Sequence, residues 1–395
     1  MRRLLLAALA VAAPVTFVAA DDEKGKTKSV PATLIQTKPD DKKADDKKSD
    51  DKPKTRSEQL AAMTREMMTK RSEMVKEING MAAGDDRNKK IQEYMTLGSS
   101  YAKKMLDLAK EDVKDEASMR AALAAMQNAG PQGKVGSDAS AFLIENFAND
   151  EKIVGSIPMI AQVNPKALET LASKSTRKEV KGTALFMMAD AEVDNADYPR
   201  TGEPLPPEET AAKLAAASAK LKDIVKDYGD VEVKSRIGKT IAEAAKTKQF
   251  FIDNLTIGKV APDFECEMLD DKKAKLSDFR GNVVVLDIWA TWCGPCRAMI
   301  PHERELVEKL KSKPFKLISL SADEKKETLT KFLEKEEMPW VHLWNGSKGN
   351  MLEKYQVRFY PTIYVLDAKG VIRYKHVRGE KMDKAVEALL KESAN

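Results

Sequence analysis

Val283-Val284-Val285-Leu286-Asp287-Ile288-Trp289-Ala290-Thr291-Trp292-Cys293-Gly294-Pro295-Cys296 decides how the C-terminal part of this chain reads. The apolar run has the length and β-branched content of a buried strand, and helical spacing follows over 297–311. Two cysteines separated by two residues can close a disulfide within one turn of chain. Where that turn opens a helix, the first sulfur faces unpaired backbone N–H groups and the positive end of the helix dipole. Both favour the thiolate, the form that attacks disulfides. Zinc sites share the spacing but need further ligands at set distances. The only other cysteine is Cys266, and His302, His342 and His376 are scattered. Redox chemistry is the reading that results, with no metal and no cofactor expected.

The rest of the chain sets the context. Its 395 residues are enough for two or three domains, and 42% hydrophobic content is enough for ordinary cores. A net charge of +5 on a chain that is 33% charged describes a mixed surface, with no electrostatic case for nucleic acid. Arg2 and Arg3, the apolar stretch 4–18 and the small residues Ala19 and Ala20 have the pattern of a cleaved signal peptide over 1–20. Export would place the protein where disulfides persist. Residues 21–56 alternate Lys, Asp, Ser, Thr and Pro; with so little to bury, they are expected to form a disordered linker.

Residues 57–254 read as an all-α bundle or short solenoid. Leu60, Met63, Met67, Met74 and Ile78 recur at helical spacing, as do Ile91, Met95, Tyr101, Met105 and Leu108. Asn164-Pro165 has the form of a helix cap followed by proline at the first helical position. A proline-rich loop at 198–207 precedes a final helix pair, whose second member is expected to carry Val233, Ile237, Ile241, Ala244 and Phe251 on its inner face. The methionines Met63, Met67, Met68 and Met74 fit core packing better than soft-metal binding. Over 255–395 the period changes. Apolar runs at 283–288, 315–320 and 362–366, a further one at 371–376, and helical patterns at 297–311, 325–336 and 381–391 indicate an α/β sheet with helices on both faces.

The motif and its strand resemble the active-site strand and helix of thioredoxin. Tyr355-Gln356-Val357-Arg358-Phe359-Tyr360-Pro361-Thr362 resembles the segment in which thioredoxins carry a cis-proline, and Val377-Arg378-Gly379 resembles the glycine turn beside their substrate groove. The lead-in Ile257-Gly258-Lys259-Val260-Ala261-Pro262-Asp263-Phe264, with Leu276-Ser277-Asp278-Phe279-Arg280-Gly281, narrows this to the exported thioredoxin-like proteins of the TlpA/ResA type in the redoxin superfamily. Two positions depart from that type: Asp287 stands where Asn is usual, and Met299 stands where Glu is common.

The resemblance implies a thioredoxin-like domain acting as a thiol–disulfide oxidoreductase through a redox-active Cys293–Cys296 disulfide. Cys293, at the exposed end of the motif, would be the nucleophile and Cys296 the resolving thiol. Asp287 would accept the proton of Cys296, which requires a raised pKa. Pro361 would offer backbone polar groups to the substrate, and Trp292, Gly294, Pro295, Tyr360 and Gly379 would line the groove. Partners would be disulfide-containing proteins of the cell envelope and a membrane-bound electron donor; nothing names a partner for the helices. Gly-Pro between the cysteines, as in reducing thioredoxins, favours reduction. Two rivals stand beside this reading: an envelope scaffold or adaptor whose helical domain binds a partner, and a thiol peroxidase. Cys266 lies on an alternating strand-like segment and reads as an unpaired strand cysteine. His302 reads as solvated.

Overall fold

The computed structural model describes residues 55–113, 115–130, 133–199, 205–235, 237–346 and 350–393, all within one compact unit. The expected signal peptide, nearly all of the linker and the centre of the proline-rich loop lie outside the described residues. No helix among the described residues is long and apolar enough to cross a membrane.

The helical half begins at Thr55, whose hydroxyl accepts from Glu58 N at 3.2 Å while the Glu58 carboxylate accepts from Thr55 N at 2.8 Å. This reciprocal cap satisfies two otherwise unpaired donors, so the helix starts at the end of the expected linker. Helices α1 (Arg56–Gly80), α2 (Asp85–Glu111), α3 (Glu116–Asn128), α4 (Lys134–Phe147), α5 (Ile157–Val163), α6 (Ala167–Lys174) and α7 (Lys178–Asp197) follow. A core containing Met67, Tyr101, Met105, Leu143, Ile153 and Leu168 joins them. Helix α8 (Pro207–Tyr228), the hairpin β1 (Glu232–Ser235) and β2 (Gly238–Thr240), and α9 (Ile241–Asn254) complete the half. They share a second core with α7, built on Phe186, Val193, Leu214, Leu221 and Ile241.

Three expectations are corrected here. Met95 is 66% exposed rather than on the inner face of α2. Asn164 ends α5 and donates its side-chain amide to Ser137 and Ser140, while α6 starts at Ala167. Val233 and Ile237 belong to the hairpin rather than to a helix, because Thr240 caps α9 through Glu243 N and sets the helix start at 241.

The sheet half comprises β3 (Glu265–Met268), β4 (Lys273–Lys275), β5 (Val283–Trp289), α10 (Gly294–Arg297), α11 (Ile300–Lys309), β6 (Phe315–Ser321), α12 (Lys326–Leu333), β7 (Val341–Trp344), α13 (Asn350–Lys354), β8 (Thr362–Leu366), β9 (Ile372–Lys375) and α14 (Glu380–Ser393). Strand order is β4-β3-β7-β6-β5-β8-β9. Strand β5 runs parallel to β6 and antiparallel to β8, and every residue of β5 is buried. Alternation sends Val284, Leu286 and Ile288 to one face, against Leu255 and Tyr355. Val283 and Val285 go to the other face, against Leu306 and Leu310 and against Met382, Val386 and Leu389 of α14. This is the thioredoxin-like α/β arrangement. Phe251 of α9 packs on both a helical-half core and a sheet-half core, so the halves share apolar surface.

The helix expected over 297–311 is broken into α10 and α11. Pro301 has no N–H for the carbonyl one turn back, and the chain steps through Ala298 and Met299 before resuming.

Candidate active site

Strand β5 delivers the chain to the motif from the middle of the sheet. Thr291 is then fixed by Asp323: its N–H and hydroxyl donate to the carboxylate at 3.0 and 2.8 Å. Asp323 is 1% exposed, also accepts from Ser321 Oγ at 2.8 Å, and gives its carbonyl to Trp344 Nε1. Cys293 N donates to Ala290 O at 3.0 Å, closing the turn that places Cys293 at the N-cap of α10.

Cys293 and Cys296 form a disulfide, with their Cα atoms 5.3 Å apart. Cys296 N donates to Cys293 Sγ at 3.2 Å, so the helix start supplies a direct donor to the first sulfur. The two cysteines differ little in exposure, 5% and 3%, and the expected exposed position of Cys293 is corrected accordingly. What projects into solvent is Trp292, 67% exposed.

The cis-proline segment meets this turn, and the Gly379 segment is tied to the cis-proline. The Tyr360–Pro361 peptide is cis. The β5–β8 register pairs Thr362 with Ile288 and Ile363 with Asp287, which sets Pro361 beside the end of β5. Tyr360 meets Trp292 edge-on, with ring centroids 5.5 Å apart. Gly379 adopts φ +55° and its carbonyl accepts from Met382 N, starting α14. Arg378 donates to the Pro361 carbonyl across 3.4 Å, so the two loops are linked and that carbonyl is partly engaged.

Two buried carboxyls flank the motif in sequence, Asp287 on β5 before it and Glu303 on α11 after it. Asp287 shares its sheet face with Val283 and Val285, while Glu303 shares its α11 face with Met299, Leu306 and Leu310. Asp287 is 3% exposed and Glu303 1%, and each leaves one oxygen with no hydrogen-bond partner. Burial holds the Asp287 carboxyl up at about 7, against the opposing pull of the Arg378 guanidinium. Burial first, and then the nearby Asp287 charge, push Glu303 up to about 9. The pair therefore retains a proton at neutral pH.

Glu303 and Asp323 are the residues the sequence reading missed. Glu303 looks like one more charge among Glu305 and Glu308, yet its spacing from Met299 and Leu306 puts it on the buried stripe. Asp323 carries no comparable signal, since its role depends on β6 lying beside β5.

The remaining candidates lie elsewhere. Cys266 on β3 is buried, its thiol pushed up to about 12 by burial, and β7 and β6 separate it from β5. His302, expected to be solvated, is half-buried and pairs with Asp383 at 3.2 Å. Trp340 and Trp344 flank and end β7 and donate to Ser319 and Asp323. Among the described residues no group of three or more His, Cys, Asp or Glu side chains could hold a metal.

A family model described as AhpC/TSA family matches residues 257–375. Over 156 residues the chain is 33% identical to the thiol-disulfide oxidoreductase ResA of Bacillus thuringiensis, a match covering 39% of this chain and 87% of the relative. The chain belongs to this family of ResA-like thiol–disulfide oxidoreductases. It is also 36% identical over 124 residues to the thioredoxin-like protein YneN of Bacillus subtilis, covering 30% of this chain and 71% of that one. Among solved structures, a putative thiol:disulfide interchange protein DsbE from Chlorobium tepidum is 31% identical, with 35% of this chain and 98% of that chain covered and a TM-score of 0.32. The protein is an oxidoreductase of thioredoxin-like fold, and the family match stops short of the helical half.

Proposed function

We propose that this protein is exported to the cell envelope and there reduces disulfides of partner proteins through the Cys293–Cys296 dithiol. The observation that carries the reading is a disulfide at a helix start, directly following a strand that buries Asp287, where burial pushes the carboxyl up to about 7. In the reduced protein the Cys293 thiolate attacks one substrate sulfur. A mixed disulfide forms, and the other substrate sulfur leaves as a thiolate that takes up a solvent proton. Cys296 passes its proton to the Asp287 carboxylate, and its own thiolate then displaces the second substrate sulfur from Cys293 as a thiolate, which takes up a proton as Asp287 gives its own back. Two electrons have moved to the substrate and the Cys293–Cys296 bridge remains. A membrane-bound donor of two electrons and two protons would restore the dithiol.

Asp287 is the proton acceptor in this scheme, and Glu303 a positioning residue that stays protonated beside it. Trp292, Gly294, Pro295, Tyr360, Pro361 and Gly379 form the surface that receives the substrate chain. Export rests on the pattern at 1–20, and reduction rather than oxidation rests on Gly294-Pro295.

The test is the reduction potential of the pair in glutathione and dithiothreitol buffers. A value near about −270 mV, that of thioredoxin, supports a reductase. A value near about −120 mV, that of a strong oxidant, would reverse the direction. Absence of a reversible couple would end the redox reading.

A further inference from the structure

Two groups of aromatic rings flank the cis-proline loop, one beside the disulfide and one reaching the helical half. Trp292 meets Tyr360 at 5.5 Å. The chain neighbour of Tyr360 is Phe359, whose ring lies 5.2 Å from that of His376. His376 in turn meets Tyr198 edge-on at 5.0 Å, and Tyr198 is the residue that ends α7. Trp292, Tyr198 and Phe359 are 67%, 48% and 47% exposed, the three most exposed aromatic side chains among the described residues. Rings of this size are ordinarily buried, and their exposure on the loop and turn on either side of the cis-proline calls for a partner surface.

The group that reaches the helical half is held in place across the seam between the halves. Each of its rings follows a residue that is tied to the other half. Asp197, before Tyr198, pairs with Lys375, before His376, at 2.5 Å. Arg358, before Phe359, pairs with Asp194 of α7 at 2.7 Å. Gln356 in the same loop donates to Thr247 O of α9 at 2.7 Å. The helical half thus grips the loop that carries the cis-proline and presents Tyr198 beside it. Burial and the flanking Lys375 and Arg378 charges keep the His376 ring neutral, so it acts as an aromatic member of that group.

We propose that Tyr198, His376 and Phe359 extend the substrate surface onto the helical half, and that they dock an extended polypeptide bearing aromatic or aliphatic side chains next to its disulfide. The occupant follows from position: Phe359 is the chain neighbour of Tyr360, whose ring meets Trp292 beside Cys293, so a chain long enough to run past the cis-proline from Cys293 reaches Phe359, His376 and Tyr198. Apolar side chains beside a disulfide are accessible in a chain that has not yet buried them, so the substrate class is an unfolded or partly folded disulfide-bearing protein. This inference rests on the proposed reductase reading.

The experiment uses the full chain, reduced and freed of reductant, in single turnovers against three oxidants. These are a peptide disulfide flanked by Leu and Phe, the same peptide with Ser at those positions, and hydroxyethyl disulfide. The wild type should half-saturate at a lower concentration of the apolar peptide than of the Ser peptide. Tyr198→Ala should raise that concentration about tenfold, the scale of losing one aromatic anchor, and leave the rate with hydroxyethyl disulfide unchanged. Tyr198→Phe should restore apolar-peptide docking. An unchanged half-saturating concentration in Tyr198→Ala, or no wild-type preference between the peptides, overturns the docking surface while leaving the reductase reading intact. Failure of the wild type to reduce even hydroxyethyl disulfide removes both.

Discussion

Two sets of buried charged groups lie on opposite sides of the same sheet half, and they are built in opposite ways. At the seam with the helices, Lys375 is fully paired: its ammonium meets Asp197 at 2.5 Å and Leu255 O at 2.9 Å, and lies 4.6 Å from the Phe251 ring centroid. Lys248, equally buried, meets Asp190 and Asp194 at 2.5 and 2.8 Å. On the face that holds Val283 and Val285, Asp287 is as deeply buried, with Glu303 of α11 alike, and neither has a hydrogen-bonded cation among the described residues. Desolvation penalises charge at both places. At the seam it still raises Asp197 and lowers Lys375, but each partner's charge opposes the shift, and the pair fixes one geometry between the halves. At the carboxyl pair only the Arg378 guanidinium opposes it at Asp287, so burial leaves that carboxyl up at about 7 and Glu303 at about 9. A hydrogen-bonded counterion makes a buried charge structural; without one, burial raises the acid's pKa.

The largest effect expected from breaking this contrast is at the seam. Lys375→Ala strands Asp197 without its cation and should cost about 3–5 kcal/mol in denaturant unfolding. Lys375→Met combined with Asp197→Leu, which removes both charges, should recover most of that. Equal stability of Lys375→Ala and wild type would mean the pair does not hold the halves together.

At the carboxyl pair the larger effect is kinetic. Asp287→Asn should slow release of the substrate from the mixed disulfide by roughly 10²-fold at pH 7, the scale of one lost proton acceptor. Stopped-flow Trp292 fluorescence would follow it, and a rate within twofold of wild type would remove Asp287 from the mechanism. The same variant reports on stability. The folded-state pKa of Asp287 is raised, so its contribution is fully present below the ordinary carboxyl value and is lost as pH rises through about 7. Asp287→Asn should therefore match wild type near pH 4 and exceed it above pH 7, by on the order of 4 kcal/mol at most.

The two sites also differ in how far they can be read from sequence. Asp287 is legible because a lone acid in Val283-Val284-Val285-Leu286-Asp287-Ile288 has nowhere to go but inward. The cysteines, Pro361 and Gly379 are local motifs; the sheet sets Pro361 beside the end of β5, and Arg378 ties the Gly379 turn to it. Glu303 is half legible: its helical register is correct for burial, but a glutamate on a charged helix reads as solvated until α11 is laid on β5. The seam is not legible at all. Asp197 and Lys375 are 178 positions apart, and their meeting depends on how two independently patterned halves dock. Val233 and Ile237 failed for a related reason, since a hairpin between two helices can show apolar spacing that mimics a helix turn.

A smaller effect sharpens the pairing itself. Asp287 charge is one reason Glu303 is raised, so Asp287→Asn should lower the Glu303 midpoint, read from its carboxyl carbon by NMR. An unmoved midpoint would mean the two groups do not sense each other.

The most direct test is the titration of the Asp287 carboxyl in the oxidised full chain, followed by 13C NMR. A midpoint near 7 is the expected result, placing a proton acceptor at working pH on the strand that leads to Cys293–Cys296. A midpoint near the ordinary carboxylate value of about 4 would show that Asp287 is charged throughout the working range, and the proton transfer assigned to it would fail.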